Sequence, residues 1–253
     1  MSRITINSKS SRSSAHSSPR FASGALFLLV LGVVVVLMPA TASAQEVMGD
    51  LDARRGSLEP TSTQLGIVSE LGATAIWNDF GTPGSLSRDG GYLATGLSGP
   101  DATTVARNWV NAHKALFRLS STGGLKVIGD EQLAQSNGYA INFRQEFGGL
   151  DSAEDGLLTV GIVGTAADGW KIAYVSSSIT GDETLSGVRN LTARDAWLTA
   201  AANVGRGVPA ANINNTKADR GWTILGVQGF ANIQRVRLMA LPTPTEGVRA
   251  VYE

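Results

Sequence analysis

Cysteine is absent from the 253 residues, histidine occurs only twice and aromatic residues make up 6 %. Without cysteine there are no disulfides, no thiolate metal sites and no thiol nucleophile, so the fold must be held by packing alone. His16 lies among the first 44 residues, which leaves His113 as the one histidine of the remaining chain. A zinc hydrolase of the H-E-x-x-H kind needs two imidazoles one helical turn apart plus a third ligand, and these are missing. A Ser-His-Asp triad would have to run through His113. The expectation is therefore a chain with no catalytic residues and no metal or cofactor of its own, in which His113 is structural or solvated.

Long apolar runs are confined to one place. Arg3, Lys9, Arg12 and Arg20 precede a stretch from Phe21 to Met38 that contains no charge, and Pro39 and Ala42-Ser43-Ala44 close it. A cationic start, an apolar centre and small residues at A-x-A spacing make a secretory signal. Cleavage is expected between Ala44 and Gln45, with 1–44 as signal peptide and the mature protein secreted. The rival reading of the same run is an uncleaved membrane anchor, which requires about 20 residues. Removing the leader takes four of the 21 Lys+Arg and none of the 21 Asp+Glu, so 17 cations face 21 anions and the net charge is −4. That balance implies neither a nucleic-acid partner nor, after cleavage, a membrane.

Helix signals recur three times. Thr61 with Gln64 three positions on reads as a capping box opening a short helix that Gly72 stops. Asp101 is the expected N-cap of a longer helix to about Leu119, in which Val105, Trp109, Ala112 and Leu116 form one apolar stripe with His113 on its flank. Thr192 with Asp195 opens a third helix, to about Val204. Between the first two, Trp77 to Gly91 is rich in Gly, Pro, Asn and Asp and reads as a turn-laden loop after a short strand at 75–77.

From Gly138 the period becomes two. Tyr139, Ile141, Phe143 and Phe147 share a face that polar Gln145 interrupts; Leu158, Val160 and Ile162 repeat the alternation, and Trp170, Ile172 and Tyr174 follow, with a second apolar set at Ala173 and Val175. Three strands joined by short turns predict an antiparallel meander that the Asp101 helix covers. A loop is expected over 205–215, then strands from Trp222, Arg235 and Gly247. Gln145 on the buried side either serves a partner or satisfies a local backbone group. Trp77, Trp109, Trp170, Trp197 and Trp222 suit core packing better than sugar stacking. Asp151, Glu154 and Asp155 form an acidic turn without EF-hand spacing, read as a solvated loop.

FRQEFGGL (143–150), DGLLTVGIV (155–163) and DGWKIAYVSSSI (168–179) together resemble the core of the propeptide of fungalysin and thermolysin-type metallopeptidases. The hallmark of that family is a strand F-x-Q, a Gly-aliphatic turn, and two further strands separated by x-D-G. The motif positions here are Phe143, Gln145, Gly149, Leu150, Asp168 and Gly169. WNDFGTPGSL, GYLATGLSG, ARNWVNAHKALFRLS and LTARDAWLTAAANVG extend the likeness over nearly all of 49–253. Two departures stand out: DSAEDG occupies the place where many relatives carry a Pro-Val pair, and the family continues beyond the equivalent of Glu253 into a zinc peptidase domain.

The resemblance implies an α+β, cystatin-like module at 45–182, with a helix packed on an antiparallel sheet. An incomplete second α+β subdomain would follow at 183–253. It implies a non-catalytic folding assistant and inhibitor whose partner is a metallopeptidase catalytic domain in cis or in trans, any zinc belonging to that domain. The alternative is a stand-alone secreted binding or peptidase-inhibitor protein that has kept the fold without the peptidase.

Overall fold

In a computed structural model of the chain, residues 56–181, 184–186 and 191–253 are described; the leader with Ala44 and Gln45 lies outside the described residues. Thr61 caps α1 (Ser62–Glu70) through the expected box, its hydroxyl accepting from the Gln64 N–H while the Gln64 side chain accepts from the Thr61 N–H. Gln64 is fully buried and its Nε2 also donates to the carbonyls of Gly81 (2.8 Å) and Leu116 (2.7 Å). One amide thus joins the helix start to two segments far along the chain.

The main sheet has eight strands: β1 (Thr74–Trp77), β2 (Pro83–Ser87), β3 (Ala94–Leu97), β4 (Leu125–Gln132), β5 (Gly138–Phe147), β6 (Leu150–Asp151), β7 (Leu157–Thr165) and β8 (Gly169–Ser177). The order is β1-β2-β8-β7-β5-β4, with β3 on β8 and β6 on β5, and every pairing is antiparallel. α2 (Ala102–Ala112) is capped by Asp101, whose carboxylate accepts from the Thr104 N–H at 2.7 Å. Its buried Val105, Ala106, Trp109 and Val110 share one core with Ile141, Phe143, Leu158, Val160, Ile162, Trp170, Ile172 and Val175 of the sheet. Each fully buried aliphatic or aromatic side chain of this size contributes about 1.5–3 kcal/mol, which makes this cluster the main source of stability.

This architecture corrects the expected α+β, cystatin-like fold class. Strands take 43 % of the structure against 20 % for helices, and the eight-stranded sheet replaces the anticipated three-stranded meander with a helix across it. The reason is local. Ser- and Gly-containing stretches such as Pro83–Ser87 show no apolar alternation, yet β8 offers an edge on which they hydrogen-bond. The helix expected to reach Leu119 also ends early: α2 stops at Ala112 and a 3₁₀ turn over Lys114–Phe117 follows, closed by Arg118 in the left-handed region (φ 55°). The turn allows the consecutive Leu116 and Phe117 both to be buried.

β8 carries a further surprise. Gly161 of β7 faces Tyr174, but Ile162 faces Ile172, so Ala173 is an extra residue. Such a bulge switches the side-chain alternation. Trp170 and Ile172 point to the core before it and Val175 and Ser177 after it, while Tyr174 is turned outward and 42 % exposed. Its ring covers Gly161, where a Cβ would collide with it.

The remainder adds α3 (Ala193–Asn203), capped by Thr192 as expected, and two three-stranded sheets. One joins β10 (Ile213–Asp219), β11 (Trp222–Val227) and β12 (Gln234–Val236) in that order, and α3 covers it through Trp197 and Leu198 against Ile213, Leu225, Val227 and Val236. β10 replaces part of the expected 205–215 loop. The other is a hairpin of β13 (Leu238–Thr243) and β14 (Gly247–Tyr252), with the short β9 (Leu185–Ser186) parallel to β14. A parallel bridge from Ser152 to Ala240 fastens this hairpin to the turn after β5, where Phe147, Leu150, Leu185, Ala240 and Val248 pack together.

Phe143 is 1 % exposed at the centre of the principal core. Truncation of a buried aromatic costs about 3–5 kcal/mol. Against a total stability of about 5–15 kcal/mol, Phe143→Ala is expected to unfold the protein or bring it close to unfolding, and a urea midpoint within error of wild type would contradict this account of the core.

Candidate functional site

Phe143, Gln145, Gly149, Leu150, Asp168 and Gly169 fall into two groups at opposite ends of β5. At its C-terminal end, Gln145 is 3 % exposed and places its carboxamide among apolar neighbours. Its Nε2 donates to the Thr180 carbonyl at 2.8 Å and to the Gly181 carbonyl at 3.3 Å, and its Oε1 accepts from the Thr180 N–H at 3.1 Å. The amide is thereby engaged with backbone, the second of the two roles expected for it. Thr82 reinforces the same region, its hydroxyl donating to the Ile179 carbonyl at 2.6 Å. Phe143 lies under the Arg107 guanidinium, 5.1 Å from ring centre to Cζ, while Arg107 donates to the carbonyls of Thr122 and Leu125.

β5 and β6 pair Phe147 with Leu150, so Gly148 and Gly149 form a two-residue turn, both at positive φ (55° and 77°). That geometry suits glycine and matches the sheet twist. Leu150 is half-buried against Leu185 and Val248. On the outer side of this turn Lys126 reaches Glu146 at 3.2 Å and Asp151 at 3.7 Å. At the other end of the sheet Asp168 and Gly169 close the β7–β8 turn: Thr165 Oγ1 donates to the Asp168 carboxylate at 2.8 Å, accepts from its N–H, and Gly169 has φ 81°. Gln145, Gly149, Asp168 and Gly169 therefore set the backbone course, Phe143 and Leu150 pack into apolar clusters, and the two groups do not converge on a common cleft.

His113 caps α2 at its C-terminus. Its ring stacks on Trp109 at 4.4 Å, and its Nδ1 donates to the Trp109 carbonyl at 2.8 Å. Among the described residues no group of three or more His, Asp or Glu side chains is placed to hold a metal ion, and no helix is long and apolar enough to cross a membrane.

The acidic turn is less solvated than its composition suggests. Burial raises the pKa of Asp155 above its ordinary value, the adjacent Glu154 adds to the rise, a hydrogen bond with Ser178 opposes it, and Asp79 adds a weaker repulsion. A buried, unpartnered hydroxyl, Ser152 Oγ, belongs to the same loop.

Sequence reasoning missed one constellation. Trp77, Trp109, Trp170 and Trp197 pack in or against the cores as expected, but Trp222 does not. It lies on the side of β11 opposite α3, with the guanidiniums of Arg235 and Arg237 at 5.0 and 4.5 Å from its ring centre. The alternation Arg235-Val236-Arg237 was the visible signal, since its period of two places both cations on one face and Val236 in the core.

No family model matches the chain, and no curated protein matches it.

Two outcomes follow from this geometry. Replacing Gln145 with Leu leaves the Thr180 N–H and C=O buried without partners, at about 1–3 kcal/mol each; amide exchange at Thr180 should accelerate and the unfolding midpoint should fall, whereas Gln145→Glu should be rescued by lowering the pH. For Asp155 the raised folded-state pKa means that ionisation costs stability at pH values above it. The cost fades as the pH falls through that pKa and is gone below the unfolded value of 3.8. Asp155→Asn should stabilise the protein at neutral pH, and the advantage should shrink as the pH approaches 4 in thermal melts; a pH-independent difference would contradict the assignment.

Proposed function

We propose that the protein is a non-catalytic, secreted propeptide-like module that assists the folding of a zinc metallopeptidase domain and then inhibits it. What supports this reading is the way the resembling segments meet. ARNWVNAHKALFRLS supplies most of α2 and the 3₁₀ turn, FRQEFGGL the second half of β5 and the start of β6, and the two DG-led segments most of β7 and all of β8; α2, β5, β7 and β8 contribute to one hydrophobic core. Residues separated along the chain thus share one core, and a preorganised surface of this kind can act by burial and edge pairing rather than by bond chemistry. A surface for pairing is present at β4, which among the described residues pairs on one side only. Ile128 is bulged out of its register and 48 % exposed.

The test is refolding in trans. Added to a denatured fungalysin-type catalytic domain, the protein should raise the refolded yield and then inhibit the refolded product, and Phe143→Ala should lose both effects together. Absence of any effect on such peptidases would favour the stand-alone binding protein. Inhibition retained by an unfolded Phe143→Ala variant would show that the folded scaffold is not what acts.

A further inference from the structure

Equal numbers of Lys+Arg and Asp+Glu, 21 each, conceal a local asymmetry. Between Ile213 and Arg237 the chain carries Lys217, Arg220, Arg235 and Arg237 against Asp219 alone. The sheet register collects them. Lys217 faces Ile224 and Ile224 faces Arg235, so cation, aliphatic and cation form a row across three strands on the side away from α3. Asp219 faces Trp222 in the neighbouring row, and the Arg237 guanidinium stacks on that indole. Ile233, 70 % exposed, precedes β12 and continues the alternation of Arg235 and Arg237.

The charges on this face are not neutralised equally. Arg220 approaches Asp219 at 3.9 Å and Arg237 is held by Glu253 at 2.7 Å. Lys217 and Arg235 are both exposed, and neither forms an ion pair among the described residues. The face therefore combines a half-buried indole and isoleucine, an exposed isoleucine, and two uncompensated cations. It is the side of the sheet away from α3.

We infer that the outer face of β10–β11–β12 is a docking surface for an anionic lipid bilayer. Charge complementarity selects a negatively charged partner, and the exposed Ile233 beside the half-buried Trp222 and Ile224 selects one with an apolar layer beneath its charges. Tryptophan and arginine suit this boundary because the indole is amphipathic and the long basic side chain keeps its head in water while its stem lies on apolar surface. The acidic remainder of the chain does not cancel the attraction, because at physiological ionic strength charges act over only about 8 Å. A local patch, rather than the net charge, decides the encounter. This inference is independent of any peptidase partner.

The experiment compares the purified protein with a Lys217→Glu, Arg235→Glu double variant in co-sedimentation with vesicles of phosphatidylglycerol and phosphatidylcholine, and with vesicles of phosphatidylcholine alone. Any contribution of the leader is the same in both proteins and cancels in the comparison. Each basic residue near an anionic leaflet raises partitioning about fivefold, so the double variant should lose at least about 25-fold of the wild-type preference for phosphatidylglycerol. Its thermal midpoint should fall only slightly, because Lys217 makes no ion pair among the described residues and the exposed Arg235–Trp222 contact is a weak one. Ile233→Ser should weaken binding to the anionic vesicles without changing its salt dependence. A double variant that keeps the wild-type preference would overturn the proposal. So would soluble polyglutamate displacing the wild type from vesicles while Ile233→Ser binds as wild type, which would mark the face as a site for acidic protein segments.

Discussion

A carboxamide inside an apolar core has to find hydrogen-bond partners, because each buried polar group left unpaired costs about 1–3 kcal/mol. Gln145 imposes that condition on the chain 35 residues later, and the segment leaving β8 satisfies it by presenting both the N–H and the C=O of Thr180. The course of the polypeptide at the open end of the sheet follows from this. Once Thr180 is fixed, Ile179 is held in the core, its carbonyl receives the Thr82 hydroxyl, and the turn before β2 is drawn against the same region.

Gln64 applies the same logic at α1. Two buried amides and a buried hydroxyl therefore hold three irregular segments, each where no strand or helix supplies the backbone with partners. In a chain without disulfides these polar groups take over the positional role that cross-links have elsewhere. The division of labour is clear: apolar burial between α2 and the sheet supplies most of the free energy, and the buried polar groups select one arrangement of the loops around it.

The parts that could be read in the sequence are those whose causes are local. The caps at Thr61, Asp101 and Thr192 depend on partners three residues away, and all three appear where expected. The alternation of Leu158, Val160 and Ile162 survives because β7 is paired on both sides throughout. β2, β3, β4 and β10 were hidden because most of their residues are small, polar or exposed, with at most a single large buried side chain such as Leu86 or Leu125 in place of an apolar alternation. The outward turn of Tyr174 depends on the bulge at Ala173, which becomes defined only when β7 lies alongside. At the motif, Gln145 stood out as a polar residue on an apolar face, but its partners were too distant in sequence to identify. The cluster around Trp222 likewise required the cross-strand register of three strands before its charges could be seen together.

The bridge between Ser152 and Ala240 has a consequence for how the molecule comes into being. The eight-stranded sheet is complete at Ser177, and the buried residues of its core end at Ile179, so nothing in it waits for the C-terminal third. The β13–β14 hairpin, in contrast, must find a docking edge on the turn after β5, a contact whose loop-closure entropy is large compared with the local contacts that precede it. The amino-terminal sheet can therefore close before the hairpin docks, and until it docks Phe147 and Leu150 lack the cover of Ala240 and Val248, an apolar spot on which a chaperone or another unfolded chain would act.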